Sequence, residues 1–444
     1  MLKCFIIQYF LINIITDMEH LRESWIHYDT STEIFSLENI PFGVCYFKDI
    51  QLARCCSRIG DYVIDLYELE NNKLLDSEVF TFSSLERSVF NQSELNSFIE
   101  LGRPVWKAVR ERIQNIFRKG SSHEHQKIFI HHFENVVMRL PVKIQDYTDF
   151  YSSKNHAFNM GRIIRGEKDA LQPNYLHLPV GYHGRSSTIV VDGTPIRRPR
   201  GQIKPPKQDN PIFSECKKLD YEVEIGMVVG KSNELGKPVK IKDADDYIFG
   251  FVLLNDWSAR DIQTWEYVPL GPFNAKNFAT TISPWIVTLE ALEPFQVDLA
   301  KQDPEPLKYL HDPRLSSWDI PITVSLKTEN SDQEISISTT NYKYMYWSIK
   351  QQIVHHTVTG CKLCVGDLLG SGTISGTQPD SYGCLFEMSE NGTKTIQVGN
   401  EKRTWLNDGD VVKFTAVIKG DGYNIGFGDC SGKILPANPE EDYY

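Results

Sequence analysis

Short apolar runs separated by turn-forming residues are the main pattern of this chain, and such runs are typical of strands. They occur at residues 42–47, 61–66, 218–228 and 247–254. Residues 101–118 instead carry apolar side chains at helical spacing, which is typical of a helix that packs one face into a core. These side chains are Trp106, Val109, Ile113 and Ile116. The pattern therefore predicts a mainly β protein with some α-helix.

The chain of 444 residues is too long for one small hydrophobic core, and we expect an N-terminal extension followed by two domains. We assign residues 1–35 to the extension, 36–140 to a first domain built as a small β-barrel, and 141–444 to a larger domain rich in strands and turns. The apolar run near the N-terminus is too short to span a bilayer. We interpret residues 1–17 as an upstream addition and Met18 as the native start.

Charge and cysteine usage exclude several classes of protein. The net charge is −11 and the densest basic cluster, residues 197–200, is short, so we expect no nucleic-acid partner. No other segment is a membrane-span candidate, so we expect no membrane partner. Nine cysteines without regular spacing indicate a reducing compartment, which predicts a cytoplasmic protein. The pair Cys361 and Cys364 lacks the second half of a zinc site, and we interpret both as incidental thiols.

The stretch from Asn255 onward carries the densest chemistry of the chain. It follows the apolar run 247–254, which predicts a buried strand, and Asn255 or Asp256 is a good N-cap for a following helix. On such a helix, side chains at i, i+4, i+7 and i+11 share one face. They are Asp256, Arg260, Gln263 and Tyr267. A solvated helix face is the alternative interpretation. The proline-rich loop that follows leads to Lys276 and Thr280, which favours a functional site.

Acidic residues elsewhere in the chain suit a metal site. Glu222 and Glu224 alternate onto the same side of the predicted strand 218–228, where a solvated sheet face is the alternative. Together with Asp149 and Asp256 they would form an all-oxygen site, which suits hard Ca²⁺ or Mg²⁺ and not zinc. His156 follows Asp149 at a distance of seven residues and is a candidate general base.

Four stretches resemble the fumarylacetoacetate hydrolase family: 146–153 (DYTDFYSS), 178–185 (LPVGYHGR), 255–272 and 371–376 (SGTISG). The resemblance extends from about residue 36 to the C-terminus. It implies an N-terminal SH3-like β-barrel domain and a C-terminal mixed β-roll catalytic domain. It also implies a homodimer that acts on a small-molecule substrate.

The resemblance implies a role for each site residue. The Ca²⁺ ligands would be Asp149, Glu222, Glu224 and Asp256. A second, Mg²⁺-type position would use Asp256, Lys276 and Thr280. Because a protonated ammonium cannot ligate a metal, we expect Lys276 to contribute charge or its backbone oxygen. His156 would activate water and Glu387 would orient it. Substrate contacts would come from Tyr151, Arg165, Tyr182, Gln263, Tyr267 and Thr373, and oxyanion donors from Arg260, Gln263 and Lys276.

The implied reaction is metal-dependent cleavage of the carbon–carbon bond of 4-fumarylacetoacetate to fumarate and acetoacetate, the last step of tyrosine and phenylalanine catabolism. One alternative is a hydrolase or decarboxylase of the same superfamily that acts on another oxo acid, such as an acylpyruvate. The other is a metal-binding protein without catalysis. The two-domain length and the pairing of His156 with Glu387 favour the first reading. Ala279 is a departure, since the family pattern has glycine before Thr280.

Overall fold

The computed structural model describes residues 23–124, 126 and 129–444. The proposed upstream addition of residues 1–17 and the start at Met18 lie outside this part. The described chain forms two units. The first unit runs to Pro141 and includes Lys419–Gly426, and the second covers Val142–Ile418 and Phe427–Tyr444.

The first unit contains a five-stranded antiparallel sheet in the order β4-β3-β2-β1-β5. Its strands are β1 Phe42–Phe47, β2 Leu52–Ile59, β3 Tyr62–Asp65, β4 Ile130–His132 and β5 Val136–Arg139. Its helices are α1 Leu66–Asn71, α2 Asn96–Ile99 and α3 Arg103–Phe117. This is the SH3-like β-domain that the resemblance implies.

The helix predicted at residues 101–118 is confirmed as α3. Its four predicted core side chains are at most 2% exposed: Trp106, Val109, Ile113 and Ile116. The Trp106 indole N–H donates to the Ile99 carbonyl oxygen at 3.0 Å, which satisfies its polar atom inside the core. Helical spacing of large apolar residues therefore predicted this element correctly.

The second unit contains a mixed eight-stranded sheet and a five-stranded sheet, accompanied by two-stranded ribbons. The larger sheet has the order β7-β6-β22-β13-β14-β16-β8, with β17 paired to β14. The smaller has the order β21-β20-β25-β26-β9. Within the larger sheet β6 runs parallel to β22 and β16 runs parallel to β8, whereas the other pairs are antiparallel. This is the mixed β-roll that the resemblance implies.

Most strands of the second unit are only two to four residues long. They are β6 Tyr147–Phe150, β7 Gly181–His183, β8 Ile189–Val191, β9 Ile196–Arg197, β10 Arg200–Ile203, β11 Ile212–Glu215, β12 Leu219–Asp220, β13 Val223–Val229, β14 Ile248–Asp256, β15 Ser258–Ala259, β16 Thr280–Ile282, β17 Val287–Thr288, β18 Gln296–Asp298, β19 Ser316–Trp318, β20 Pro321–Lys327, β21 Ile335–Asn341, β22 Leu368–Gly370, β23 Ile396–Val398, β24 Glu401–Arg403, β25 Val411–Lys419 and β26 Asn424–Leu435. The helices are α4 Lys154–Arg165, α5 Arg260–Glu266, α6 Leu289–Leu292, α7 Ile349–Thr357 and α8 Leu385–Met388.

Strands β13 and β14 form the buried centre of the larger sheet. Every residue of both strands is buried, so the sheet is covered on both faces. A solvated sheet face for Glu222 and Glu224 is therefore wrong, since both side chains are at most 5% exposed. The predicted strand 218–228 is real, but its pairing is interrupted between β12 and β13.

No helix of the described residues has the length and apolar content that a membrane span requires. All eight cysteines in the described part of the chain are free, including Cys361 and Cys364.

Candidate active site

The larger sheet brings distant acidic residues to one place through its strand order. Asp149, at the end of β6, pairs with Gly370 of β22, and β22 in turn pairs with β13. Glu224 of β13 pairs with Leu254 of β14. Asp256 ends β14, and its backbone N–H donates to the Glu222 carbonyl oxygen. Backbone pairing therefore gathers side chains that are more than 100 residues apart.

Four carboxylates, here called the acidic cluster, meet at this point, as the resemblance implied. Asp149, Glu222, Glu224 and Asp256 each offer an oxygen, and these oxygens all lie within 4.8 Å of one another. All four side chains are buried. The oxygens Asp149 Oδ1, Glu224 Oε1 and Asp256 Oδ1 have no hydrogen-bond partner among the described residues. Because an unpaired buried polar atom is costly, these oxygens are suited to a ligand that supplies positive charge.

The electrostatics of the four carboxylates support the same conclusion. Burial, followed by the neighbouring acids, raises the pKa of Asp149 and Glu224 well above their usual values. Burial raises the pKa of Asp256 to about 6, although the Lys276 ammonium opposes this shift. For Glu222, burial is outweighed by the nearby Lys276 and Arg260, and its pKa is lowered. Like charges buried together thus destabilise one another, and a cation between them would relieve the repulsion.

A glycine lies between two of these carboxylates. A Cβ at Gly370 would lie 2.8 Å from Glu224 Oε2 and 3.3 Å from Asp149 Oδ1. Any larger side chain would therefore push these oxygens apart or fill the space between them. The unpaired oxygens, the all-oxygen donor set and this space together fit a hard divalent cation.

Lys276 lies directly against the acidic cluster. Its ammonium donates to Asp256 Oδ2 at 2.5 Å and also to Glu222 Oε2. Although burial lowers the pKa of Lys276, Asp256 and Glu222 outweigh it and the pKa is raised, so the side chain is a cation. Thr280 is buried and pairs with Asp256 across β14 and β16. Ala279, the departure from the family pattern, is buried directly before it.

His156 and Glu387 form a buried pair, as the resemblance implied. His156 Nδ1 donates to Glu387 Oε2 at 2.6 Å, and both side chains are at most 2% exposed. Burial would raise the pKa of Glu387, but the electrostatic effect of the neighbouring His156 ring and the hydrogen bonds from His156, Asn159 and Ser375 outweigh it, so this pKa is lowered. Glu387 is therefore an ionised acceptor that fixes the imidazole with Nε2 as its free nitrogen. His156 also acts electrostatically on Glu222 of the acidic cluster.

The predicted helix beginning at Asn255 or Asp256 is wrong in its start. Strand β14 continues through Asp256, and helix α5 begins at Arg260 after an Ala259 cap. Asp256 therefore does not share a helix face with Arg260, because pairing with Thr280 of β16 keeps it extended. Asp256 and Arg260 both still reach the cluster, since Arg260 Nη2 lies 2.8 Å from Glu222 Oε1.

Gln263 is held by Arg260. The Arg260 Nη1 group donates to Gln263 Oε1 at 3.1 Å, which leaves the amide N–H groups of Gln263 to face another acceptor. Gln263 is thus a candidate donor to a substrate oxygen.

Two of the remaining predicted substrate contacts, Tyr151 and Tyr182, lie beside these groups. The Tyr151 ring meets the His156 ring edge-on with centroids 5.3 Å apart. The Tyr182 hydroxyl donates to Asp256 Oδ2 at 3.3 Å. Burial raises the pKa of both phenols, so each remains a neutral donor. Thr373 is buried after the turn at Gly372, where φ is +77°.

Arg165 and Tyr267 are not joined to this group. Arg165 is exposed at the end of α4, and its guanidinium donates to the carbonyl oxygens of Asp169 and Ala170. Tyr267 follows α5 and is 43% exposed. Their assignment as substrate contacts remains a prediction.

Three residues of the site were not predicted. Asn159 Nδ2 donates to Glu387 Oε1 at 2.8 Å, and Ser375 Oγ donates to Glu387 Oε2 at 2.7 Å. Asp220 is fully buried and accepts from Arg260 Nε at 2.9 Å. Asn159 stands three residues after His156 on α4, so helical spacing could have indicated it.

Comparison with known proteins identifies the family of the chain. The family model described as Fumarylacetoacetase N-terminal matches residues 38–141, and Fumarylacetoacetate (FAA) hydrolase C-terminal matches residues 146–434. Fumarylacetoacetase of Dictyostelium discoideum is 49% identical over 417 residues, covering 92% of this chain and 96% of its own length. Fumarylacetoacetase of Homo sapiens is 49% identical over 409 residues, covering 91% and 96%. That of Arabidopsis thaliana is 48% identical over 414 residues, also covering 91% and 96%.

A solved structure is similar in fold. The fumarylacetoacetate hydrolase of Exiguobacterium antarcticum aligns with a TM-score of 0.51 at 16% identity, covering 89% of this chain and 99% of that one. At this identity the similarity concerns the fold alone. The two family matches and the relatives of nearly half identity over most of the chain carry the assignment. The chain belongs to the fumarylacetoacetate hydrolase family.

Proposed function

We propose that this protein hydrolyses 4-fumarylacetoacetate to fumarate and acetoacetate, the last step of tyrosine and phenylalanine catabolism. The observation that carries the proposal is the buried pair of His156 and Glu387 next to a cluster of four carboxylates. A base held by an ionised carboxylate can activate water, and a cation held by the four carboxylates would supply Lewis acidity to the oxygens of a β-diketone. The relatives named fumarylacetoacetase support this substrate.

His156 is the general base of the proposed reaction. Because Nδ1 is bound to Glu387, Nε2 is the nitrogen that accepts a proton from water as the water attacks a substrate carbonyl. Glu387 stabilises the resulting imidazolium without taking its proton. When the carbon–carbon bond breaks, the electron pair remains on the acetoacetate carbon as an enolate. The proton held at Nε2 is then available for that carbon, which regenerates the neutral imidazole.

The acidic cluster would hold the cation of the reaction. Asp149, Glu222, Glu224 and Asp256 suit Ca²⁺, and we assign a Mg²⁺-type position to the neighbourhood of Asp256, Lys276 and Thr280. When bound, the cation supplies Lewis acidity that stabilises negative charge on the substrate oxygens. Lys276 contributes charge and not coordination, because its ammonium donates to Glu222 and Asp256.

Neutral and cationic donors complete the site. Gln263 presents its amide N–H groups, and Lys276 and Arg260 add positive charge where the oxyanion develops. Tyr151 remains protonated beside the His156 ring and can donate to the substrate. Tyr182 and Thr373 are assigned to substrate contact. Loss of one oxyanion donor typically lowers kcat by ~10²–10³-fold.

Two further parts of the proposal concern assembly and location. The resemblance supports a homodimer, which light scattering of the purified protein would detect as twice the chain mass. The irregular cysteine pattern and the eight free thiols support a reducing, cytoplasmic environment, which cell fractionation would test.

The decisive experiment follows the diketone absorbance of fumarylacetoacetate after addition of purified protein. We expect loss of absorbance with formation of fumarate and acetoacetate, and we expect chelation to abolish it and Ca²⁺ or Mg²⁺ to restore it. Activity on an acylpyruvate with none on fumarylacetoacetate would replace the proposed substrate. Full activity after exhaustive chelation would contradict the cation's role.

A further inference from the structure

Asp220 is a fully buried carboxylate that, among the described residues, has no hydrogen bond to the acidic cluster or to His156. Both of its oxygens are nevertheless saturated. Oδ1 accepts from the backbone N–H groups of Tyr221 at 2.9 Å and Leu385 at 2.7 Å. Oδ2 accepts from the Phe386 N–H at 3.0 Å and from Arg260 Nε at 2.9 Å. One carboxylate therefore binds two separate parts of the site.

The first part is the guanidinium of Arg260. Its Nε is bound to Asp220, while Nη2 pairs with Glu222 and Nη1 donates to Gln263. Since a guanidinium is a rigid fork, fixing Nε fixes the direction of both terminal nitrogens. Asp220 thereby determines where Arg260 meets Glu222 and Gln263.

The second part is the start of the short helix α8. Its N-cap, Cys384, provides no side-chain hydrogen bond to the first turn. The N–H groups of Leu385 and Phe386, the first two helical residues, bind Asp220 instead. A carboxylate at a helix N-terminus satisfies donors that would otherwise be unpaired. The next residue is Glu387, the partner of His156, so Asp220 also fixes the backbone that carries it.

We propose that Asp220 is a positioning residue, which holds Arg260 and the Glu387-bearing helix in one fixed relation. It acts through these groups and does not touch the substrate. This role rests on the proposed function, since Arg260 and Glu387 have their roles in that reaction. Because Arg260 and the start of α8 bind the same carboxylate, a displacement of Asp220 displaces the general base and the oxyanion donors together.

Asp220→Asn retains the size of the side chain but places an amide N–H₂ group against donors. At least one of Leu385 N–H, Phe386 N–H and Arg260 Nε–H then faces another donor. We expect kcat to fall by about 100-fold, the effect typical of a small displacement of catalytic groups. KM should change less, because among the described residues neither Asp220 nor Arg260 has a hydrogen bond to Asp149, Glu224 or Asp256 or to the neighbouring phenols.

Asp410 offers a matched control within the same unit. It is fully buried and accepts from Arg403 through Nε and Nη2, both at 2.9 Å, and from the Asn407 N–H at 2.8 Å. Asp410→Asn thus breaks a comparable buried Asp–Arg pair whose residues are not among those of the site. We expect a similar fall in Tm for the two variants, with kcat of Asp410→Asn within about threefold of the parent protein.

A second pair of variants isolates the hydrogen bond between Asp220 and the start of α8. Leu385→Pro removes the N–H that binds Asp220, and proline is tolerated at the first helical position. The preceding Cys384 is extended, with φ −154° and ψ 161°, as a residue before proline requires. Leu385→Ala loses the same buried side chain but keeps the N–H. We expect kcat of the proline variant to be about tenfold below that of the alanine variant.

Proton NMR spectroscopy tests the positioning role of Asp220 without a measurement of enzyme activity. The short hydrogen bond from His156 Nδ1 to Glu387 should give a downfield proton resonance, which Asp220→Asn and Leu385→Pro shift or abolish and Asp410→Asn leaves in place. Equal kcat for Asp220→Asn and Asp410→Asn, with an unchanged resonance, would overturn the positioning role. If the parent protein does not hydrolyse fumarylacetoacetate, the proposed function fails, whereas the resonance still tests whether Asp220 orients Glu387.

Discussion

Replacement of Glu387 by glutamine tests the central pair of the site. The carboxylate accepts from His156, Asn159 and Ser375, and it is fully buried. Glutamine keeps the shape but removes the charge, and its N–H₂ group must face at least one of these donors. The change therefore removes the stabilisation of the imidazolium and disturbs its orientation in one step.

The expected loss follows from the contact distances. A hydrogen bond to a charged group contributes ~1.5–3 kcal/mol. Two unit charges about 4 Å apart interact by ~4 kcal/mol at an effective dielectric constant of about 20. Because these two terms overlap, we expect the transition state to lose ~3–4 kcal/mol, which corresponds to a fall in kcat of ~10²–10³-fold. KM should remain within a few-fold, since Glu387 is expected to act on the base and not on the substrate.

The assay is initial-rate loss of fumarylacetoacetate absorbance at saturating cation, with kcat and KM determined separately. Glu70→Gln is a suitable control, because Glu70 is a buried carboxylate of the first unit that accepts from the Val89 N–H and from Ser88. It should leave kcat unchanged. A folded Glu387→Gln protein that keeps more than a tenth of the parent kcat would refute the role assigned to this carboxylate.

Three further predictions concern stability and cation binding. The pKa of Glu387 is lowered on folding, so its stabilising contribution is present above the unfolded value of about 4.3 and is lost as the pH falls through the folded value. The free energy of unfolding should therefore fall less steeply below pH ~4 in Glu387→Gln than in the parent, as urea titrations would measure. Gly370→Ala should weaken Ca²⁺ affinity by ~10–100-fold in calorimetry, whereas Gly226→Ala, whose Cβ would meet only apolar side chains, should not. Ca²⁺ at 100 times its Kd should raise the free energy of unfolding by ~2.7 kcal/mol in the parent and by less in Glu224→Gln, and equal gains would contradict binding at this cluster.

Local patterns predicted the elements of the fold better than their ends. The helix α3 was predicted from its helical spacing because it buries a regular apolar face, and the strand β1 was predicted from a short apolar run that is almost entirely buried. The helix predicted from Asp256 failed because capping preference is a local property, whereas pairing with Thr280 extends β14 through that residue. A tertiary contact outweighed a local preference worth about 1 kcal/mol.

The acidic cluster illustrates which part of a site the sequence leaves undetermined. Alternation placed Glu222 and Glu224 on one side of a strand, but a solvated face was equally compatible with that pattern. Asp149 and Asp256 reach them because of the strand order β6-β22-β13-β14. This order places β14 directly beside β13, and β6 on the other side of β13 with only β22 between them. Pairing between strands that are distant in the sequence determines this order, so the spacing of residues along the chain cannot predict it. The family resemblance implied that the four carboxylates meet, and the strand order explains physically why they do.

The role of Asp220 was not predicted, although the sequence pattern around it indicates that this residue is unusual. It precedes Glu222 and Glu224 at the same two-residue interval, so three acids alternate in an otherwise apolar segment. The pairing break between β12 and β13 changes its surroundings, and it binds Arg260 and the start of α8 rather than the acidic cluster. Adjacent carboxylates of one alternating run can therefore have different tasks. Glu222 and Glu224 are assigned oxygens of the proposed cation site, whereas Asp220, whose oxygens already accept from protein donors, is assigned to holding other residues in place.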